Sequence, residues 1–253
     1  LVRIGMGTQR IEEELAHRVP SARVQRVDSD TMQATEDYRR VIGRFEAREI
    51  DVLLGTQMIA KGLDFPFVSF VGVITADTAL ALPDFRAAER TFQLMTQVAG
   101  RAGRSRETRH EGGRVVVQTY SPELPAIQAA VHQDYEEFAS QELRTRRQLG
   151  LPPYSRLIRI VLEDERDSRL SEESDALAGQ IREALETPEL GARVGGPARC
   201  PLRRIRGMYR RQILIGVTDS ARRAEAVSVL RRENLLTARV KRLIVDVDPV
   251  SLM

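Results

Sequence analysis

Two adjacent prolines, in Leu151-Pro152-Pro153-Tyr154, limit what this chain can fold into more than any other feature. Proline fixes φ, donates no main-chain hydrogen bond and pushes the residue before it out of the helical region. No helix can run through such a pair. The reading is therefore two domains, residues 1–150 and 151–253. A length of 253 residues is enough for two small cores.

The two parts differ in pattern. In the first, β-branched runs at Val24–Val27, Asp51–Leu54, Val68–Thr75 and Arg114–Thr119 predict strands. Val68–Thr75 is apolar nearly throughout, which predicts a strand covered on both faces. Helical spacing lies between these runs: Ile11, Leu15 and Val19; Val41, Ile42 and Phe45; Leu94 and Val98. The alternation predicts an α/β fold, a parallel sheet with helices on both faces. One long helix, Pro125–Leu149, is expected to leave that sheet. After the prolines the pattern predicts strands at Leu157–Leu162, Val194–Gly196, Gln212–Val217 and Arg239–Val247. Helices are expected at Glu172–Leu185 and Ala221–Leu230. This β-α-β-β-α-β order suggests a small α+β domain of split-βαβ type.

Composition excludes some classes. No run of eighteen apolar residues is present, so no membrane-spanning helix is expected. A lone Cys200 rules out an internal disulfide and a cysteine-rich zinc site. His17, His110 and His132 are scattered, so no metal site is expected in this chain. A cytoplasmic home fits. The start at Leu1, with no Met and no signal sequence, reads as the interior of a longer chain. The net charge of +3 is uneven, with +4 on residues 151–253 and −1 on residues 1–150. Lys61 and Lys241 are the only lysines, so the cationic groups are almost all guanidiniums; these suit bidentate phosphate contacts, and a GC-rich genome is the bland alternative.

Three segments carry chemistry. Gly55–Pro66 follows the apolar run Val52–Leu54, and ligands of α/β sheets bind at the carboxyl ends of strands. Gly55 allows close backbone approach, Thr56 and Gln57 offer donors, and Asp64 can accept from a ribose. An ordinary βα loop is the bland alternative. In Gln97-Val98-Ala99-Gly100-Arg101-Ala102-Gly103-Arg104, the two arginines stand three apart and share a helical face. Gly100 and Gly103 each weaken a helix by roughly 1 kcal/mol, a cost that points to close backbone approach. The pattern fits an arginine finger against a transferring γ-phosphate. The third segment is Arg199, Arg203, Arg204, Arg206, Arg210 and Arg211, within thirteen residues free of acid. Such a strip can track a phosphate backbone or hold an acidic peptide, with Tyr209 stacking on a base. A solvated basic loop is the alternative.

The first two segments, in this order, resemble motifs V and VI of superfamily 2 helicases. The wording resembles one family more closely, the bacterial replication-restart helicases of the PriA (primosomal protein N′) type. Gly55–Pro66, Asp84-Phe85-Arg86-Ala87-Ala88-Glu89-Arg90 and Gln97–Arg104 match its signature order. So do Gly5–Gln9, Asp28-Ser29-Asp30-Thr31, Leu151-Pro152-Pro153, Gly196-Pro197, Tyr209-Arg210-x-Gln212 and Asp246-Val247-Asp248-Pro249. The likeness covers nearly the whole chain.

That resemblance implies a second RecA-like lobe in residues 1–150 and a C-terminal DNA- and partner-binding domain similar to ribosomal protein S10. It places Gly62, Asp64, Gln97, Gly100, Arg101 and Arg104 at an ATP cleft, and Gly7, Thr8, Thr56 and Gln57 at the translocated DNA strand. Arg203, Arg204, Arg206, Tyr209 and Arg210 would face forked DNA. The implied protein is a 3′-to-5′ DNA helicase that restarts stalled forks. Its cofactors are ATP and Mg²⁺, with zinc in the longer protein. Its partners are forked and single-stranded DNA, single-stranded-DNA-binding protein and primosome proteins. Met208 and Arg211 depart from the arginine and the aromatic that many relatives carry for the single-stranded-DNA-binding-protein contact.

Neither a Gly-x-x-x-x-Gly-Lys-Ser/Thr loop nor a magnesium-binding Asp-Glu pair after a strand occurs here. The chain is therefore expected not to hydrolyse ATP by itself. The alternative is a non-enzymatic fork-binding scaffold whose upstream motor has decayed. A RecG-like translocase explains the two motor motifs but not the C-terminal matches.

Overall fold

A computed structural model describes residues 7–28, 32, 35–56, 65–100 and 113–253. The chain separates into two compact units. One holds residues 1–81 and 88–138; the other holds 82–87 and 139–253. Two pieces that precede the prolines, 82–87 and 139–149, thus belong to the second unit.

The first unit is α/β. In chain order it has α1 (Thr8–Arg18), β1 (Val24–Val27), α2 (Thr35–Glu46), β2 (Val52–Gly55), β3 (Phe70–Val73), α3 (Asp77–Leu80), α4 (Ala87–Ala99), β4 (Arg114–Val117) and α5 (Pro125–His132). β1 pairs with β2 in parallel, with Val27 opposite Gly55. β3 pairs with β4 in parallel, with Phe70 opposite Arg114. Parallel neighbours need a crossover, and α2 supplies it between β1 and β2. Val27, Val41, Phe45 and Ile50 form one buried cluster, onto which Phe65 and Phe67 pack. Phe92, Met95, Ala126, Ile127 and Phe138 form a second, in which the Phe92 and Phe138 rings stack at 4.3 Å.

Two expectations fail here. Val68–Thr75 shortens to β3, whose burial alternates, and Phe70 is 58% exposed. The Phe70 ring lies along its own strand over Gly72, so the apolar run packs partly on itself. The single helix over Pro125–Leu149 is two, α5 and α6 (Tyr135–Leu149). Gln133 adopts the left-handed conformation and the Asp134 amide donates to the Ala129 carbonyl, which closes α5. The Asp134 carboxylate then accepts from the Glu137 amide at 2.9 Å and starts α6. This Asp-x-x-Glu start was readable in the sequence and outweighs the continuous helical spacing.

The second unit has β5 (Arg156–Asp164), α7 (Asp167–Leu185), β6 (Arg193–Ile205), β7 (Met208–Val217), α8 (Ser220–Arg232) and β8 (Arg242–Val247). These strands form a four-stranded antiparallel sheet ordered β6-β7-β5-β8. Ile158, Ile160 and Leu162 of β5 and Ile213 and Ile215 of β7 are fully buried with Leu170, Ile181 and Leu185 of α7 and Leu230 of α8. The other face of β5 is buried as well, through Leu157, Arg159 and Val161.

The short strand expected at Val194–Gly196 is instead the 13-residue β6. It carries Pro197 and Pro201, which cannot donate to a ladder. They are tolerated because β6 is an edge strand broken by register shifts after Gly195 and Arg199. Gly196 has φ +94°, and a Cβ there would lie 2.7 Å from the Gln212 carbonyl oxygen. Only glycine fits that kink.

Gln133→Gly is expected to raise the melting temperature by relieving a left-handed non-glycine residue, worth about 1 kcal/mol. Asp134→Ala should lower stability by about 1 kcal/mol through loss of the cap. Thermal unfolding followed by circular dichroism checks both, and a loss in both variants would contradict the two-helix account.

Candidate nucleic-acid interface

The described residues bring part of the first-unit site together at the carboxyl ends of β1 and β2. Thr8 opens α1, after Gly7 in an extended conformation, where no atom of the described residues apart from its chain neighbours lies within 4 Å of the place a Cβ would take. The Thr8 hydroxyl donates to Asp28 at 2.7 Å. Asp28 is 5% exposed and also pairs with the Arg26 guanidinium at 3.3 Å. Val27 stands opposite Gly55, so Asp28 and the exposed Thr56 follow adjacent strand ends. Gly7, Thr8 and Thr56 thus share one rim, the edge where parallel sheets hold ligands. In the sequence, Asp28 is visible only as part of the Asp28-Ser29-Asp30-Thr31 signature. Its role is to orient Thr8 and Arg26 from a buried position, and no spacing rule reveals that.

Gln97 is exposed near the end of α4, and the Gly100 amide donates to Thr96, so helical bonding continues to the residue before Arg101. Gln57, Gly62, Asp64, Arg101 and Arg104 lie outside the described residues.

The arginine strip lies on the β6–β7 hairpin. From Leu190 to Thr218 the chain has seven arginines and no acid. The hairpin turns through Arg206 and Gly207, both at positive φ, between the paired Ile205 and Met208. That is the geometry of a type I′ turn, whose twist matches the strands. It aims Arg206 outward at the tip, where the residue is exposed. Arg204 stands opposite Tyr209, with its guanidinium 4.9 Å from the ring centre, and Arg203 lies at 6.0 Å from the same ring. Arg203 also pairs with Asp167 at 2.9 Å.

Arg210 differs. It faces the opposite side of β7 and pairs with Glu163 at 3.0 Å, with side-chain exposures of 11% and 12%. Its guanidinium holds the strand pair together and has little left for a phosphate. Sequence proximity placed it with the strip; strand alternation turns it inward.

Nearby titratable groups support a fixed scaffold. Burial pushes Asp164 up, yet the Arg166 and Lys241 amides and the Arg169 charge together hold it below the ordinary carboxylate value. Burial pushes the Cys200 thiol up, against the pull of Arg210 and Arg159.

Comparison with known proteins follows the same division. Residues 5–106 match the helicase conserved C-terminal domain, and residues 147–250 match the primosomal protein N C-terminal domain. The replication restart protein PriA of Bacillus subtilis (strain 168) is 43% identical over 213 residues, covering 83% of this chain and 25% of that protein. The chain belongs to the PriA family. The PriA of Treponema pallidum is 46% identical over 83% of this chain and 31% of that protein. The PriA of Synechocystis is 37% identical over 98% of this chain and 29% of that protein. The chain therefore spans about a quarter to a third of the length of these PriA relatives.

Arg210→Ala should lower stability by about 1–3 kcal/mol, because Glu163 loses its closest partner in a mostly buried site. Arg206→Ala should leave stability within about 0.5 kcal/mol, as for an exposed side chain. Denaturant melts decide it; equal losses in the two variants would show that Arg210 is not set apart from the strip.

Proposed function

We propose that this chain is the second motor lobe and fork-binding domain of an ATP-driven DNA helicase that restarts stalled replication forks. The observation that carries this reading is the joint rim of Gly7, Thr8, Asp28 and Thr56 beside the family's ordered motor signatures. The lobe is read as RecA-like, and the second unit, with strand order β6-β7-β5-β8 around two helices, as S10-like.

ATP and Mg²⁺ supply the energy of translocation when bound to a first lobe with a phosphate-binding loop. Two features support a share in such a cleft: Gln97 presents an exposed amide, and the helical bonding of α4 continues to Gly100. Arg101 and Arg104 would stabilise charge on the γ-phosphate, while Gly62 and Asp64 complete this side of the cleft. Alone, this chain would not hydrolyse ATP. Thr8, Thr56 and Gln57 would hold the DNA backbone. The strip of Arg203, Arg204 and Arg206, with Tyr209, would hold the fork.

Partners on this reading are forked and single-stranded DNA, single-stranded-DNA-binding protein and the proteins that load a replicative helicase. The place of action would be the bacterial cytoplasm, at the nucleoid. Among the described residues no helix is long and apolar enough to cross a membrane.

The full-length protein should show ATP turnover stimulated by forked DNA, and Arg104→Ala should reduce it about 10³-fold or more, the scale of an arginine finger. Absent turnover with intact fork binding would replace the motor reading by that of a fork-binding scaffold. Reversal of Arg203 and Arg204 to Glu should weaken DNA binding across all sequences and flatten the salt dependence by about two phosphate contacts. Unchanged affinity at several salt concentrations would remove the strip from the interface.

A further inference from the structure

Arg211 is in the wrong place for an ordinary strand residue. It stands opposite Leu162 of β5 and alternates with the fully buried Ile213 and Ile215, so it points to the helix-covered face. Its Nε is shut off from solvent and has no hydrogen-bond partner among the described residues. A buried charged donor without an acceptor is destabilising.

Directly across the ladder stands a second arginine, Arg199. Residues opposed in this way share a face, and like charges there repel. Arg199 and Arg203 both reach the Asp167 carboxylate, at 3.8 Å and 2.9 Å. Two guanidiniums therefore share one carboxylate at the first residue of α7, and a third stands across the ladder from one of them. Arg199 and Arg203 remain about half exposed, so the cluster opens to solvent. The N-cap position, Arg166, contributes no side-chain cap to the helix. Each guanidinium has five donors, and one carboxylate cannot use them all.

We propose that Arg199, Arg203 and Arg211 form a pocket for a phosphoryl group, with Asp167 holding Arg203 and Arg199 in position. A doubly charged oxyanion between β6 and the start of α7 accepts from the outer guanidinium nitrogens, whose donors the single Asp167 carboxylate cannot all use. It also offsets the repulsion between Arg199 and Arg211. This pocket rests on the reading of the hairpin as a phosphate-facing surface, and it adds one defined site to an otherwise diffuse strip. The phosphoryl group comes either from a nucleic-acid backbone or from a free phosphate compound.

Isothermal titration of the full-length protein with pyrophosphate tests it, comparing wild type with Arg211→Met. Methionine keeps an unbranched apolar stem between strand and helix and removes the donors. Wild type should take up one more equivalent of pyrophosphate than Arg211→Met, or bind it about tenfold tighter, the factor one charge-assisted hydrogen bond carries. Arg199→Met should show the same loss from the other strand. Superimposable isotherms for wild type and both variants would overturn the pocket. A single-stranded oligonucleotide that displaces the extra pyrophosphate identifies a backbone phosphate; failure to displace it identifies a free phosphate compound. Arg206→Ala, at the hairpin tip and outside the pocket, reads the strip alone. Weaker DNA binding in that variant, beside isotherms that superimpose for wild type, Arg211→Met and Arg199→Met, would retain the strip and reject the pocket.

Discussion

A single guanidinium, that of Arg159, decides how the second unit is closed. Arg159 sits on the central strand β5 at 4% exposure, on the face away from the helices. A charge at that depth is tolerated only if its donors find acceptors. Nε donates to the Gln212 side-chain oxygen at 2.8 Å, and Nη1 to the carbonyls of Met253 at 2.9 Å and Ser251 at 3.4 Å. Nη2 lies 4.0 Å from the Cys200 sulfur. Residues 251–253 are therefore part of the sheet's second cover. The helices bury one face of β5 with aliphatic side chains, and a polar layer built around Arg159 buries the other.

Asp84 extends that layer to a distant piece of chain. Its carboxylate accepts from the Ser251 hydroxyl at 2.7 Å and from the Leu252 amide at 3.3 Å. Arg146 adds a bond to the Phe85 carbonyl and lies over the Phe85 ring. These contacts bind residues 82–87 to the second unit, although α4 begins at the last of them. The signature Asp84-Phe85-Arg86 thus has a structural use, joining the segment before α4 to residues 251–253. A substitution at Asp84 would leave the Ser251 hydroxyl and the Leu252 amide without this acceptor in a buried site.

What the sequence made legible was local. β1 appeared where its β-branched run predicted it, and β2, β4, β5 and α8 did so within a few residues. The order of six elements after the prolines was also visible. Each of these rests on side chains close together in sequence. The unread features depend on residues far apart. Asp84 meets Ser251 across 167 positions, and Arg159 meets Met253 across 94. The length of β6 was hidden because its two prolines look like breakers, and only an edge position makes them compatible with a strand. In the candidate site, residue types pointed to Thr56, and only the family resemblance pointed to Gly7 and Thr8. Residue types and spacing could not separate Arg210 from Arg203, because Arg210 is turned toward Glu163 by the pairing of β7 with β5, while Arg203 lies on the edge strand β6, which pairs with β7 alone.

The hairpin tip shows how far charge shapes this fold. A type I′ turn favours Asn-Gly, since both central residues need positive φ. Here the first is Arg206, at φ +49°. A non-glycine residue held there costs about 1 kcal/mol, and no buried packing offsets it, because the side chain is exposed. Arg204 shows the same bias, with its guanidinium lying on Tyr209 and its Nε donating to the Gly207 carbonyl at 3.1 Å. The turn is thus braced by one arginine and tipped by another. Local stability alone would favour asparagine over arginine at the first turn position, so Arg206 is explained by what it presents to solvent. The hairpin is accordingly a projecting cationic edge, rigid at its base through Arg210 and Glu163 and charged at its end.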